Sequence, residues 1–110
     1  MTVKDLIDAL SLAPITVADP DREVTGGYAG DLLSWVMGRA SEGDAWVTIM
    51  TNINVVAVAS LLDVACVVLA EGVQAPEDVV TAAAQKGVTL LGGAKPTYEL
   101  CAAIAEVLGT

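Results

Sequence analysis

Two short runs of the sequence, AWVTIM at 45–50 and ACVVL at 65–69, are almost wholly apolar and rich in β-branched residues. A strand with one exposed face alternates apolar and polar residues, so an uninterrupted apolar run predicts a strand that is covered on both faces. The chain has no Phe, and its core must therefore be built mainly from Val, Ala, Leu and Ile. Aliphatic strands with Ala-rich helices predict an α/β fold.

Helix and strand signals alternate along the chain. The apolar spacing from Val3 to Leu10 predicts a first helix, and Thr2 with Asp5 has the spacing of a capping box. Short strands at 15–17 and 23–25 are expected to form a hairpin-like pair. The later elements are a helix at 32–40 capped by Asp31, a strand at 45–50, a helix at 55–62 capped by Asn54, a strand at 65–69, a helix between Pro76 and Gly87, a strand at 88–91, and a last helix from Pro96 or Thr97.

After the first pair, this alternation predicts right-handed crossovers onto a mostly parallel sheet of four to five strands flanked by helices. A chain of 110 residues is the size of one domain, and residues 1–110 are expected to form a single one. Ligands of such sheets bind beyond the carboxyl ends of the strands, where loops lead into helices. The segments 26–31 and 51–54 occupy such positions.

Charge and hydropathy exclude several partners. The net charge is −9, and the five basic residues are spread along the chain, so neither nucleic acid nor an anionic membrane is expected to bind. The most apolar run, 55–70, is interrupted by Ser60 and Asp63 and is shorter than the roughly 20 residues of a membrane-spanning helix. The amphipathic N-terminus has no signal-peptide core, which predicts a cytoplasmic protein.

Side chains for covalent chemistry are scarce. The sequence has no His, which excludes an ordinary hydrolase triad and argues against a zinc site. Cys66 and Cys101 lie in apolar segments and are interpreted as buried thiols, with a disulfide or redox role as the alternative. We therefore expect no enzyme activity, no metal and no cofactor.

The stretch DREVTGGYAGD at 21–31 is the first candidate site. Gly26, Gly27 and Gly30 permit positive φ, and their N–H groups would form a donor cluster for an anion ahead of a helix capped by Asp31. The alternative is a strand-to-helix turn whose glycines serve only the backbone. Arg22 either forms a structural ion pair with Asp21 or offers bidentate contact to a carboxylate or phosphate.

The second candidate is the loop TNIN at 51–54, between a core strand and a core helix. Capping of the helix explains Asn54. Thr51 and Asn52 are freer to contact a ligand that carries both hydrogen-bond donors and acceptors.

The order DRxVxGGYAGDLLSWV, then GDAWVTIMTNINVVAVASLLDVACVVLAEG, then a closing segment near PTYELCAAI, resembles the DRTGG domain family, in particular its small stand-alone bacterial members. The resemblance covers residues 1–108. One departure is visible, because Glu23 and Val24 separate Asp21-Arg22 from Thr25-Gly26-Gly27, which are contiguous in the family motif.

The resemblance implies a small α/β domain similar to the N-terminal domains of HPr kinase/phosphorylase and, more distantly, of the muramyl ligases, which bind uridine nucleotides. Domains of this family accompany CBS pairs and phosphotransacetylases, where a regulatory role is implied. Stand-alone copies beside iron-only hydrogenase and sensor-like genes imply a partner protein from a redox or signalling gene cluster.

Our interpretation is a regulatory or ligand-sensing domain that binds a small anionic metabolite or nucleotide. The expected ligand-binding residues are Arg22, Gly26, Gly27, Gly30, Asp31, Thr51, Asn52 and Asn54. Surplus hydrophobicity, with a mean hydropathy of +0.64, predicts a homodimer whose interface includes Trp35, Met37 and Trp46. The alternative is a protein interaction module without a small ligand, in which the same aromatics are contact anchors.

Overall fold

Helices and strands alternate along the chain, and the computed structural model describes residues 1–110. The elements are α1 (Val3–Leu10), β1 (Ala13–Thr16), β2 (Gly26–Ala29), α2 (Leu33–Arg39), β3 (Asp44–Thr48), α3 (Ile53–Leu62), β4 (Cys66–Leu69), α4 (Glu77–Lys86), β5 (Leu90–Gly92) and α5 (Thr97–Leu108). Local signals set most of the helix ends. Thr2 and Asp5 form the expected capping box at α1, and Gly87 ends α4 in the left-handed conformation.

The strands form one sheet of five in the order β1-β5-β4-β3-β2. β2, β3, β4 and β5 are mutually parallel, and β1 is antiparallel to β5. This architecture confirms the predicted mostly parallel sheet flanked by helices. Because each parallel strand is added on the same side of the previous one, right-handed crossovers place α2, α3 and α4 on one face of the sheet. α1 and α5 pack on the other face.

The core lies on both faces of the two central strands. Every residue of β3 and β4 is buried, as the continuous apolar runs predicted. Alternate residues serve opposite faces: Trp46 and Val67 pack with α2–α4, whereas Val47 and Val68 pack with α1 and α5. The sheet is therefore enclosed by two separate apolar layers.

The expected hairpin at the start of the chain is wrong. β1 and β2 lie at opposite edges of the sheet, and β1 pairs with β5 instead. Thr16 Oγ1 donates to the Val88 carbonyl over 2.8 Å, and the Ala18 N–H donates to Thr89 Oγ1 over 3.1 Å. These long-range contacts hold β1 beside the last strand.

The expected glycine loop is also wrong in its conformation. Gly26 and Gly27 belong to β2, and the glycines with positive φ are Gly43, Gly72, Gly87 and Gly109. Gly26 and Gly30 are instead closely packed against side chains. A Cβ at Gly26 would lie 2.9 Å from Asp44 Oδ1, and one at Gly30 would lie 3.0 Å from the Tyr28 ring. The segment is a strand with crowded neighbours and does not form a concave cluster of N–H donors.

Two helix caps differ from expectation. Asn52 caps α3 by accepting a hydrogen bond from the Asn54 N–H over 2.9 Å, so the helix begins two residues before the predicted start. Leu32 holds the N-cap position of α2 without a side-chain hydrogen bond, and Asp31 does not cap that helix. The side chains of Asp31 and Asn54, which were expected to cap these helices, are therefore available for other contacts.

Two leucines test the two-layer core. Leu91 is fully buried, whereas 69% of Leu61 is exposed. We expect Leu91→Ala to lower the free energy of unfolding by about 2–5 kcal/mol through lost burial and a new cavity. In a domain of this size each kcal/mol lowers Tm by roughly 4 °C or more. Leu61→Ala, the matched control, should change stability by less than about 0.5 kcal/mol in urea unfolding, and equal losses in the two variants would contradict the assigned core.

Candidate functional site

The predicted ligand-binding residues lie at opposite ends of the parallel strands, which we call the carboxyl edge and the amino edge of the sheet. Gly30, Asp31, Thr51, Asn52 and Asn54 lie beyond the carboxyl ends of β2 and β3, whereas Arg22 lies at the amino edge. Asp44 and Thr48 mark the two ends of β3, which are about 13 Å apart at the usual rise of a strand. The structure therefore brings together one part of the predicted site and separates it from the predicted cation.

Arg22 is committed to Asp63. Its guanidinium donates to Asp63 Oδ1 over 3.0 Å and to the Asp63 carbonyl over 2.9 Å. The hydrogen bond from Arg22 lowers the pKa of the Asp63 carboxyl, and the same bond raises the pKa of Arg22. Asp63 ends α3 and precedes β4, so the arginine fixes residues 19–22 at the amino edge of the sheet. Arg22 thus has a structural ion pair, but with Asp63 in place of the expected Asp21.

Asp31 joins the two loops at the carboxyl edge. Its Oδ1 accepts hydrogen bonds from Thr48 Oγ1 over 2.7 Å and from the Ile49 N–H over 2.9 Å. Thr48 Oγ1 in turn accepts from the Met50 N–H over 3.2 Å. The carboxylate therefore fixes the start of the β3–α3 loop against the end of β2, and it brings the two predicted segments side by side.

Besides Asp31 Oδ2, three polar groups near this link have no partner within the protein. The Thr51 hydroxyl, the Asn54 amide and Asn52 Nδ2 make no hydrogen bond to another residue, although Asn52 Oδ1 caps α3. Thr51 is partly buried, and the two asparagines are exposed. Leu32, Ile49 and Ile53, which adjoin these loops in the sequence, are exposed large apolar side chains. At the carboxyl edge, free hydrogen-bonding groups thus lie near exposed apolar side chains.

The three predicted interface residues have different environments. Trp35 and Met37 on α2 are 54% and 48% exposed, and the Arg39 guanidinium lies 3.9 Å from the centroid of the Trp35 ring. Trp46 is fully buried, and its Nε1 donates to the Gly30 carbonyl over 3.0 Å. The prediction that Trp46 contacts a partner is therefore wrong, since its position on a central strand places the indole in the core.

A hollow of about 160 Å³ lies on the opposite face, between α5 and the strands β2 and β3. Small residues of the sheet, including Gly27, Ala29 and Ala45, form its floor, and Ile104 and Leu108 of α5 line its wall. Sequence patterns gave no sign of this hollow, because it depends on how α5 crosses the sheet.

One capping contact was also missed. Glu71 accepts a hydrogen bond from the Thr97 N–H over 2.7 Å and so satisfies the start of α5, which Pro96 cannot cap through its side chain. Glu71 adopts a positive φ of 62°. A glutamate after a strand is too common to have indicated this role.

The structure contains neither a candidate metal centre nor a helix that could span a membrane. No group of three or more His, Cys, Asp or Glu side chains is placed to hold a metal ion. None of the helices has both the length and the apolarity needed to cross a bilayer.

The fold defines a small α/β domain with a mostly parallel sheet. No known family profile and no curated protein matches the chain. A similar solved structure is that of the CBS and DRTGG domains of the regulatory region of Clostridium perfringens pyrophosphatase, complexed with its activator, diadenosine tetraphosphate. The similarity has a TM-score of 0.74 at 14% sequence identity, and it covers 94% of this chain and 45% of that chain. This likeness confirms the predicted DRTGG-like fold, and the present chain spans less than half the length of the solved one.

A double-mutant cycle tests the link between the loops. We expect Asp31→Ala to lower the free energy of unfolding by about 1–3 kcal/mol, since it leaves the Thr48 hydroxyl and the Ile49 N–H without their acceptor. With Thr48→Val the two losses should not add, and the coupling energy should exceed about 0.5 kcal/mol. Asp8→Ala, at an exposed carboxylate with no hydrogen bond, is the control. Additive losses in urea unfolding would show that the link does not exist.

The Arg22–Asp63 pair predicts a pH dependence. Because the folded-state pKa of Asp63 lies below its ordinary value of 3.8, the pair contributes stability above that pH and loses it as the pH falls through the lowered pKa. Asp63→Asn keeps a residue that tolerates the left-handed cap, and it should cost at most about 1 kcal/mol at neutral pH, since both side chains are partly exposed.

The difference in unfolding free energy between Asp63→Asn and the unaltered protein should shrink as the pH falls from 3.8 through the lowered pKa of Asp63, because the protonated aspartate is uncharged like the asparagine. Asp8→Asn, at an exposed carboxylate without an ion pair, is the control. A difference that stays constant with pH would mean that the ion pair does not contribute.

Proposed function

We propose that this chain is a non-catalytic regulatory domain that senses a small anionic metabolite or nucleotide at the carboxyl edge of β2 and β3. Its fold is shared with a regulatory region that was solved with a nucleotide activator. Fold alone does not transfer a ligand from one protein to another. The proposal therefore depends on residues of this chain.

One observation carries the proposal. Asp31 holds the β2–α2 and β3–α3 loops together, while Thr51, Asn52 and Asn54 beside it present unused hydrogen-bonding groups. A rigid frame with free polar side chains and neighbouring apolar surface is suited to a ligand that has both a ring system and polar edges. A nucleotide is such a ligand.

The position of Arg22 refines the kind of binding. Arg22, the predicted cation, lies at the amino ends of the strands, so we infer that the ligand is held by hydrogen bonds from side-chain amides and a hydroxyl, with no ion pair to Arg22. Affinity that depends on neutral donors responds weakly to salt, since little charge is neutralised on binding.

The chemistry of the remaining side chains supports a role without catalysis. Burial raises the pKa of the Cys66 thiol to about 12, and it also raises the pKa of Cys101, so neither thiol forms the reactive thiolate at neutral pH. Oδ1 of the Asp31 carboxylate accepts hydrogen bonds from two protein donors. The site thus offers recognition groups and lacks an activated nucleophile.

A thermal-shift screen with nucleotides, nucleotide-linked sugars, sugar phosphates and acyl phosphates tests the proposal. A ligand at a hundredfold excess over its Kd should stabilise the fold by about 2.7 kcal/mol, which raises Tm by several degrees. Thr51→Val and Asn54→Ala should each lower the affinity for that ligand about tenfold or more and so reduce the rise in Tm. A loss of this size is expected when a hydrogen bond of about 1.4 kcal/mol is removed.

The control variants separate binding from folding. Asn52→Ser keeps the cap of α3 while it removes the side-chain N–H groups, so a loss of binding in this variant does not reflect a frayed helix. Gln85→Ala removes an exposed amide from α4, far along the chain, and should leave binding unchanged. Binding that survives in all three site variants would place the ligand elsewhere.

The exposed apolar side chains of α2 favour the second candidate, a protein interaction module. Leu32, Trp35 and Met37 together expose a large apolar area beside the proposed site. A homodimer also belongs to our proposal for this reason. If no ligand stabilises the protein and Trp35→Ser abolishes association with a partner, the interaction module is the better description.

A further inference from the structure

The two edges of the sheet differ in how they are protected against pairing. β1 contains Pro14, and its register shifts between Pro14 and Thr16. A proline and an irregular register are common means of preventing another strand from adding to an edge. β2 at the other edge, Gly26-Gly27-Tyr28-Ala29, has no proline, no charged side chain and a continuous register with β3. Only the β2 edge is open to a further strand.

The backbone groups that face this open edge can be identified. The N–H of Gly30 donates to the Val47 carbonyl over 3.1 Å, so the backbone of Gly30 faces β3. Alternate residues of a strand direct their N–H and C=O groups to opposite sides. Gly27 and Ala29 therefore direct theirs away from β3, and both residues are exposed.

These outward residues are arranged symmetrically about Tyr28. We propose that a second copy of the chain pairs with β2 in an antiparallel manner about a two-fold axis at Tyr28, so that two five-stranded sheets become one continuous sheet. Gly27 of each copy then lies opposite Ala29 of the other, and each of these pairs exchanges both of its N–H···O=C bonds. In any other antiparallel register, Gly27 of each copy would not lie opposite Ala29 of the other.

Charge explains why the partner is a second copy. The protein carries a net charge of −9, so two copies repel each other, and the repulsion is weakest where the facing surfaces carry no charge. β2 has no charged side chain, and neither does any residue that lines the hollow beside it. A basic partner would gain no ion pair along this edge, whereas a second copy brings the same neutral strand and self-complementary backbone groups.

Apolar surface on both faces of the sheet adds to the pairing. On one face, the hollow of about 160 Å³ is floored by Gly27 and Ala29, whose small size leaves room for the approaching copy. On the other face, α2 is the last helix before the open edge. Its residues Trp35 and Met37 lie on opposite flanks of the buried Val36. Whichever flank faces the open edge therefore carries an exposed apolar side chain. Burial of this surface supplies affinity that a short strand alone would lack.

The mass in solution is the first test. Light scattering coupled to size-exclusion chromatography, with the full chain at a concentration on the order of 100 µM, should give twice the chain mass of 11.2 kDa. Ala29→Pro removes one outward N–H at a place where an edge strand accepts proline, and it should give 11.2 kDa. Ala29→Ser keeps that N–H and should remain a dimer.

Amide hydrogen exchange locates the interface and checks the fold. In the unaltered protein the Gly27 and Ala29 amides should exchange slowly, and dilution should speed them. In Ala29→Pro the Gly27 amide should exchange quickly, while the Gly30 amide, bonded to Val47 within the same copy, stays protected and shows that the strand is still folded. A monomeric protein, a dimer that Ala29→Pro does not affect, or a dimer with fast exchange at Gly27 and Ala29 would each overturn the proposal.

Discussion

Burial of β3 and β4 on both faces is the constraint on which the rest of this structure depends. An aliphatic strand without a polar side needs helices above and below it, and consecutive crossovers supply them on one face only, because β2 to β5 are added in one direction. The opposite face is therefore left to α1 and α5, the two ends of the chain. Covering the core in this way makes the terminal helices part of the fold and leaves β2 as an edge strand.

The same winding determines what kind of site the domain can form. Doubly wound sheets bind ligands in a crevice where the strand order reverses, and the parallel strands here contain no such reversal. Adjacent loops at the carboxyl edge must be joined by side chains instead, and Asp31 performs this task through Thr48 and Ile49. The proposed ligand site therefore consists of loop side chains at the carboxyl ends of β2 and β3.

The proposed ligand site and the open edge are close in the chain. Gly30 ends the ladder between β2 and β3, its carbonyl accepts the Trp46 indole, and Asp31 follows directly. A shift of β2 would therefore also move Asp31, because Gly30 is held by these two contacts. Under the two proposals, this arrangement would connect self-association with ligand binding.

The sequence by itself determined the fold class, the buried strands and the helix ends with local signals, such as the capping box of α1 and Gly87 after α4, because these features depend on neighbours within a few residues. Tertiary structure alone decided which strand joins β1, which carboxylate binds Arg22, and that Trp46 is enclosed. Each of these outcomes is a contact between residues far apart in the chain, where several partners were chemically equivalent until packing selected one. The adjacency of the segments 26–31 and 51–54 was predictable from the alternation of strands and helices, while the separation of Arg22 from them was not.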